Sequence, residues 1–542
     1  MWKDYPLTLY FFITFSLFSI SSHLVNIFLR NPIFGKNITR KLSKTYISKI
    51  TVTAISISML IVFFRGSIGS RPVQLKDSAV TKDELLNKII LNPYSAVKYA
   101  LDENKKLTSA AGISNFLPSG DIDNAIETFF NNHQQLASLD DYMKKSAKGH
   151  AGTTPRHIFF VVMESLDSWS LLEKYQSFDL LPNIKRLGKQ GILLTSFLPA
   201  ADGTMPSFTA IVTGLPEVGV HTSIQYSSMK PYETSIAPQF KKLGFKTNLF
   251  YGGYLSWQKI GDFCKFQGFD HIYGGSQMGP WKNREWGVND DALFQFIQKN
   301  IKDDEPTFNL ILTTSYHSPY DLPVYREGFP YQNIPKDLET VYDNKNVPLS
   351  VFGHLWYADK MLGDFIRNIE NEHPGCLFAV TGDHWSKKHI STTPSLYEKT
   401  SVPLLLYGNG VIPSSSLQIA GSHLDIMPTL IEMSAPQGFS YYSMGVDLFS
   451  ADRRNVGFGK DCLIAGDYIM DSQGKKEWLP FAAHGPVNDA TGETLQVFKS
   501  YQGIGWQRIM KGAQISSGYA QSNSASFPPQ GRDKRRDAAA LR

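Results

Sequence analysis

Five short apolar runs, each stopping at a glycine, polar or charged position, restrict the possible folds of this chain most tightly. They are "HIFFVVM" (157–163), "KTNLFY" (246–251), "TFNLILTT" (307–314), "CLFAVTG" (376–382) and "VPLLLYG" (402–408). Each is rich in β-branched or aromatic residues and too short for an ordinary helix, so each predicts a strand buried on both faces. Helical patterns such as "PNIKRLGKQ", "APQFKKLG" and "DALFQFIQKNI" lie between them. This alternation is the α/β arrangement, which gathers functional residues at the carboxyl ends of parallel strands.

Chemically capable side chains stand at the ends of these runs. "FFVVMES" delivers Glu164, "ILTTSYHSPY" delivers His317, and "FAVTGDHW" delivers Asp383 and His384 side by side. Glu164 alone reads equally well as a strand cap. The turn "ADGTMPSF" adds Thr204, which by itself is a loop hydroxyl satisfying a backbone group. Taken together they say more. Glu164, Asp383 and His384 offer two oxygen donors and one nitrogen donor, a set suited to Zn²⁺ or Mn²⁺. A metal there would also take the Thr204 hydroxyl, lower its pKa and make it a nucleophile. Gly203 predicts a tight turn, and "FTAIVTGL" a helix starting just after it, whose first N–H groups suit an anionic substrate.

The rest of the chain places this chemistry. Among 542 residues, Lys and Arg number 54 against 49 Asp and Glu, a net charge of +5 that is too mild to argue for nucleic acid. From Tyr5 to Leu29 there is no charged residue, enough for a transmembrane helix, and no small-residue cleavage site comes after it. The second apolar stretch, Ile50 to Phe64, is shorter, with Lys49 and Arg65 able to snorkel. Between them Arg30, Lys36, Arg40, Lys41, Lys44 and Lys49 meet no acidic residue. Positive-inside reasoning puts this loop in the cytoplasm and everything after about residue 70 outside. The expected organisation is therefore a two-helix membrane anchor (1–70), a helical connector and linker (71–154), a catalytic domain (155–450), a small accessory region (451–511) and a disordered tail (512–542). In the connector, Thr81 and Glu84 have capping-box spacing, Asn92-Pro93 starts a helix, and "KKSAKGHAGTTPRH" reads as linker. In the accessory region, "DCLIAGDYIMD" and "ETLQVFKSY" read as antiparallel strands. Cys264, Cys376 and Cys462 form neither a metal-ligand pattern nor a disulfide framework.

With "VVMES", "GTMPSFTAIVTGLP", "FYGGYLSWQKIGDFCKFQGFD", "TTSYHSPY", "TGDHW" and "SHLDIMPTLIEM" in this order, the chain resembles the sulfatase-like branch of the alkaline phosphatase superfamily. Lipoteichoic acid synthases and phosphoglycerol transferases are the members it looks most like, over roughly 156–450. The resemblance implies a membrane-anchored α/β/α sandwich with a small C-terminal antiparallel sheet. It implies a divalent metal (Mn²⁺ first, Zn²⁺ or Mg²⁺ next) on Glu164, Thr204, Asp383 and His384, with Thr204 as nucleophile. His317 would contact the phosphoryl group or assist the leaving group. Trp257 matches the family's phosphoglycerol-binding tryptophan, whereas Lys259 replaces an arginine and Tyr251 a histidine. Lysine keeps the charge and loses the bidentate fork. Asp425 is expected to pin the turn before a helix, His423 to approach the site, and His389 to serve a second metal or sit in an exposed loop. Sulfatases proper convert a cysteine or serine in C/S-x-P-x-R to formylglycine. Here Thr204 is the wrong nucleophile for that and Phe208 replaces the arginine. The implied reaction moves phosphoglycerol from a membrane phospholipid, phosphatidylglycerol, to a glycan or polymer hydroxyl through a phospho-threonine. The alternatives are a phosphoethanolamine transferase, a phosphodiester or sulfate-ester hydrolase, and a non-catalytic binding protein.

Overall fold

The computed structural model describes residues 91–515, apart from 110–111, 151, 280–286, 344–345, 415–417 and 483–490, together with a few positions between 58 and 87. The span predicted at 5–29, the Thr81–Glu84 cap and residues 516–542 of the tail lie outside the described residues, as does the span at 50–64 but for isolated positions. Among the described residues no helix is long and apolar enough to cross a membrane.

All five apolar runs are strands of one seven-stranded sheet. In chain order its strands are β1 His157–Met163, β2 Ile192–Leu194, β3 Lys246–Tyr251, β4 His271–Gly274, β5 Thr307–Leu312, β6 Leu377–Gly382 and β7 Leu404–Gly408. Their spatial order is β2-β7-β6-β1-β5-β3-β4. Pairing is parallel from β6 through β1, β5 and β3 to β4. β7 runs antiparallel to both β6 and β2, so the sheet is mixed. The reason is local: no helix intervenes between 382 and 404, so the chain turns back at the edge where it emerged.

Side chains alternate across the central strand as period-two geometry requires. Phe159, Val161 and Met163 enter one core, and Ile158, Phe160 and Val162 the other. The first core takes helices Pro182–Gln190, Asp290–Asn300 and Leu349–Glu372. The second takes Thr204–Thr213, Ile236–Lys242, Ile260–Phe266 and His423–Glu432. This is the expected three-layer sandwich.

A separate antiparallel sheet comes next in the chain: β8 Val456–Phe458, β9 Cys462–Ala465, β10 Tyr468–Asp471 and β11 Lys476–Trp478. Two expectations fail in the flanking regions. "ETLQVFKSY" is not a strand; it lies within the helix Thr491–Met510. Phe498, Tyr501 and Ile504 are buried at helical spacing against Leu117, Ala125 and Ile126. Arg508 anchors the far turn, its Nε and Nη2 donating to Asp140 at 2.7 and 2.9 Å. The supposed linker also begins as a strand, Lys144–Ser146 pairing antiparallel with Ser440–Tyr442. Upstream, the helix Pro93–Ser109 starts at Asn92-Pro93, with Asn92 Oδ1 accepting the Ser95 N–H at 2.9 Å. The three cysteines are buried and free.

Candidate active site

Three strand ends and one helix start converge at the carboxyl edge of the sheet. Glu164 directly follows β1, and its backbone N–H donates to Thr313 Oγ1, just beyond β5, at 3.0 Å. Asp383 directly follows β6, its N–H donating to Met163 O at 3.1 Å. The end of β6 passes so close to the loop after β1 that a Cβ on Gly382 would stand 1.9 Å from Leu166 O. Only glycine fits there, and the close approach brings Asp383 beside Glu164.

Thr204 is the first residue of the helix Thr204–Thr213, whose first-turn N–H groups have no intrahelical acceptor. Gly203 before it is extended, with φ −160°, so the expected tight turn does not demand a glycine there. Thr204 Oγ1 lies 3.3 Å from Glu164 Oε2 and 3.2 Å from His384 Nε2. The ligand atoms of Glu164, Asp383 and His384 all fall within 4.8 Å of one another.

The polar contacts of these groups leave one face open. Asp383 Oδ1 accepts the N–H groups of Ser165 and His384, each at 2.7 Å. Asp383 Oδ2 is buried, accepts no hydrogen bond, and stands 3.4 Å from His384 Nε2. His384 donates Nδ1–H to Trp385 O at 2.7 Å, which turns the Nε2 lone pair toward the carboxylates. Burial, then the Glu164 charge, pushes the Asp383 carboxyl up to about 6. For His384 burial acts the other way, but Asp383 and Glu164 outweigh it and raise its pKa. Two buried carboxylates crowd an imidazole here, and one carboxylate oxygen has no donor. That donor set fits a divalent cation, with Thr204 Oγ1 as a further oxygen.

The other expected residues are placed unequally. Tyr251 ends β3 and is buried; burial first, then the charges of Glu164 and Asp383, push its phenol well up. The half-buried Trp257 ring lies 6.0 Å from the Tyr251 ring. Lys259 is exposed, in a turn where Gln258 (φ 45°) and Lys259 (φ 59°) are both left-handed. His317 is half-buried five residues beyond β5, its Nδ1–H donated to Ser318 O at 2.6 Å. His389 is buried rather than in an exposed loop, stacked on Trp385 at 5.8 Å. It is not among the clustered ligand groups. Asp425 caps its helix, Oδ2 accepting the Ser422 N–H at 2.8 Å and Oδ1 the Val446 N–H at 2.9 Å.

His423 approaches the site as expected, whereas Ser165 and Asp290 escaped the sequence reading. His423, wholly buried, donates Nε2–H to Gly382 O at 2.8 Å and accepts the Ala200 N–H on Nδ1 at 3.2 Å. It thereby ties the Asp383 strand to the loop that leads into Thr204. Ser165 is left-handed at φ 55° and donates its hydroxyl to Glu164 Oε1 at 2.8 Å. Asp290 Oδ1 accepts the N–H groups of Thr314 and Ser315 at 3.1 and 3.0 Å, shaping the segment toward His317. The Asn-Asp pair opening "NDDALFQF" is an N-terminal helix signal that could have drawn attention to Asp290. Nothing in the local sequence marks Ser165.

The sulfatase family model matches residues 156–434, just over half of the chain and all of the elements that carry this site. The chain belongs to the sulfatase family. Curated relatives of this sulfatase-family chain include phosphoglycerol transferase I of Xanthomonas euvesicatoria, 23% identical over 50% of this chain and 40% of that protein. Lipoteichoic acid synthase 1 of Bacillus subtilis is 22% identical over 57% of this chain and 50% of that protein. The match thus spans half or less of the length of these relatives. Among solved structures, an alkaline phosphatase superfamily protein from Vibrio parahaemolyticus superposes with TM-score 0.57 at 19% identity, covering 72% of this chain and 95% of that one. The fold is that of the alkaline phosphatase superfamily.

Proposed function

We propose that this protein is an extracytoplasmic, membrane-anchored, metal-dependent transferase that moves phosphoglycerol from phosphatidylglycerol to a glycan or polymer hydroxyl. One observation carries the reading: a threonine hydroxyl at a helix start, 3.2 to 3.3 Å from a histidine and a carboxylate, beside a buried carboxylate oxygen with no donor. The names of the phosphoglycerol transferase and lipoteichoic acid synthase relatives support the transferred group.

Glu164, Thr204, Asp383 and His384 would hold the metal, Mn²⁺ first. When bound, it lowers the pKa of the Thr204 hydroxyl and offsets phosphate charge. Thr204 Oγ, its proton released to solvent, attacks the phosphorus of the lipid, forming an Oγ–P bond. The bond from phosphorus to the diacylglycerol oxygen breaks, and that oxygen takes a proton, the role assigned to His317. First-turn N–H groups of the Thr204 helix face the phosphoryl oxygens. Tyr251 and Trp257 hold the glycerol headgroup, with Lys259 at the rim. An acceptor hydroxyl then attacks phosphorus, the Oγ–P bond breaks, and Thr204 regains its proton.

Brief incubation with headgroup-labelled phosphatidylglycerol, followed by denaturation and peptide mapping, tests this. Label is expected on the peptide containing Thr204, with diacylglycerol released before any acceptor is added. Thr204→Ala abolishes turnover, and Thr204→Ser retains part of it. Normal turnover in Thr204→Ala would overturn the mechanism. Label from phosphatidylethanolamine but not phosphatidylglycerol would overturn the donor.

A further inference from the structure

A cavity of about 230 Å³ opens between the start of the Thr204–Thr213 helix, the loop after that helix and the β8–β9 hairpin. Met205 and Pro206, the two residues after Thr204, line it, with Glu217, His221 and Ser223 opposite. Lys460, from the tip of the hairpin, completes it. None of the last four has a part in the chemistry proposed above.

The cavity connects electrostatically to the candidate active site. Lys460 Nζ pairs with Asp202 Oδ1 at 3.1 Å, two residues before Thr204. Lys387, on the loop after His384, acts on both Asp202 and His384. Glu217 and Lys460 also lie within each other's field. The polar groups are held in place: Gln502 Nε2 donates to Lys460 O at 2.7 Å, and Glu217 Oε1 accepts the Gly219 N–H at 2.9 Å.

Size and charge define the ligand. The volume falls below the roughly 300–1,000 Å³ of drug-sized pockets, which suits one sugar ring. The lining carries one carboxylate, Glu217, and one ammonium, Lys460, which is already paired with Asp202, so a polyanionic chain would find no uncompensated ammonium there. Interleaved carboxylate, ammonium and hydroxyl groups over an apolar wall of Met205, Pro206 and Val220 suit a neutral polyol. Burial pushes the Glu217 carboxyl up to about 7, so near neutral pH it can donate as well as accept.

We infer that this cavity seats the acceptor, and that the seated residue is a neutral sugar rather than a polyanionic polymer end. This rests on the transferase reading and deepens it, giving the small C-terminal sheet a part in acceptor binding.

The test separates binding from chemistry. Calorimetric titration of the full chain with cellobiose, gentiobiose and galactobiose needs no lipid donor. At least one disaccharide is expected to bind more tightly than glycerol phosphate. Glu217→Gln and Lys460→Ala should each weaken it at least fivefold, and Ser223→Trp should block it. In transfer from headgroup-labelled phosphatidylglycerol to the disaccharide, these variants raise the acceptor KM by the same factor, while the yield of Thr204-bound label stays within twofold. That labelling also shows the variants are folded. Tighter binding of glycerol phosphate, no binding of any disaccharide, or equal binding by wild type and variants would overturn the inference. Sugar binding without any Thr204 label in the wild type would instead refute the covalent transferase and leave the sugar site standing.

Discussion

Asp383 shows what a buried carboxylate costs the protein that carries it. Its carboxyl is raised to about 6 from an ordinary 3.8 by burial and by Glu164. Above the ordinary value, the folded state therefore holds this charge at a cost that grows with pH to about 6. Asp383→Asn should make the metal-free protein more stable at pH 7.5, by something on the order of 2 kcal/mol, while abolishing metal binding. Urea denaturation in chelator and metal analysis of the folded variant check both halves. His423 works in the opposite direction of use. Burial lowers its pKa to about 3, so the unfolded chain takes up the proton first. The stability tied to neutral His423 is complete above about 6.5 and declines as pH falls toward 3. Between pH 7 and pH 5 the stability difference between wild type and His423→Gln should shrink by about 2 kcal/mol, as read from denaturation curves at both values.

Among the secondary-structure elements, the site depends on how closely the end of β6 passes the loop after β1. Gly382 lets the end of β6 lie against the backbone at Leu166, where a Cβ would be 1.9 Å from a carbonyl oxygen. Gly382→Ala must push the Asp383 strand end away from Glu164. A loss of roughly 1–3 kcal/mol is expected from the overpacking, together with a loss of metal affinity out of proportion to it. Thermal denaturation and metal titration on the same sample test this; a variant with unchanged metal affinity would show that the close approach is not what sets the ligand geometry. The helix Thr491–Met510 illustrates why some elements were harder to read. A nine-residue window, "ETLQVFKSY", fits either period. Its partners, Leu117 and Ile126, lie hundreds of residues upstream and tip it to helix.

Across the full chain, the described residues include the α/β sandwich and the small antiparallel sheet, and the proposed membrane anchor precedes them. If the basic 30–49 loop sets the topology, a reporter fused after residue 75 is extracytoplasmic and one within 31–48 is cytoplasmic. Accessibility of residue 40 from outside intact cells would overturn this. Such a topology would put the Thr204 edge of the sheet in the compartment where a phospholipid headgroup and a surface glycan meet.

Local pattern was enough to define the five principal strands, their burial on both faces and the carboxylates and histidines at their ends. Short β-branched and aromatic runs have few other ways to be satisfied. Glu164, Asp383 and His384 were legible for the same reason: each stands within two residues of a strand end, where local pattern is strongest. The reversed β7, the helical end of the accessory region, the His423 brace between Gly382 and Ala200 and the cavity closed by Lys460 came from the folded arrangement alone. Each of these depends on contacts between segments far apart in the chain, and no local window of residues records which distant partner will supply the missing surface or hydrogen bond.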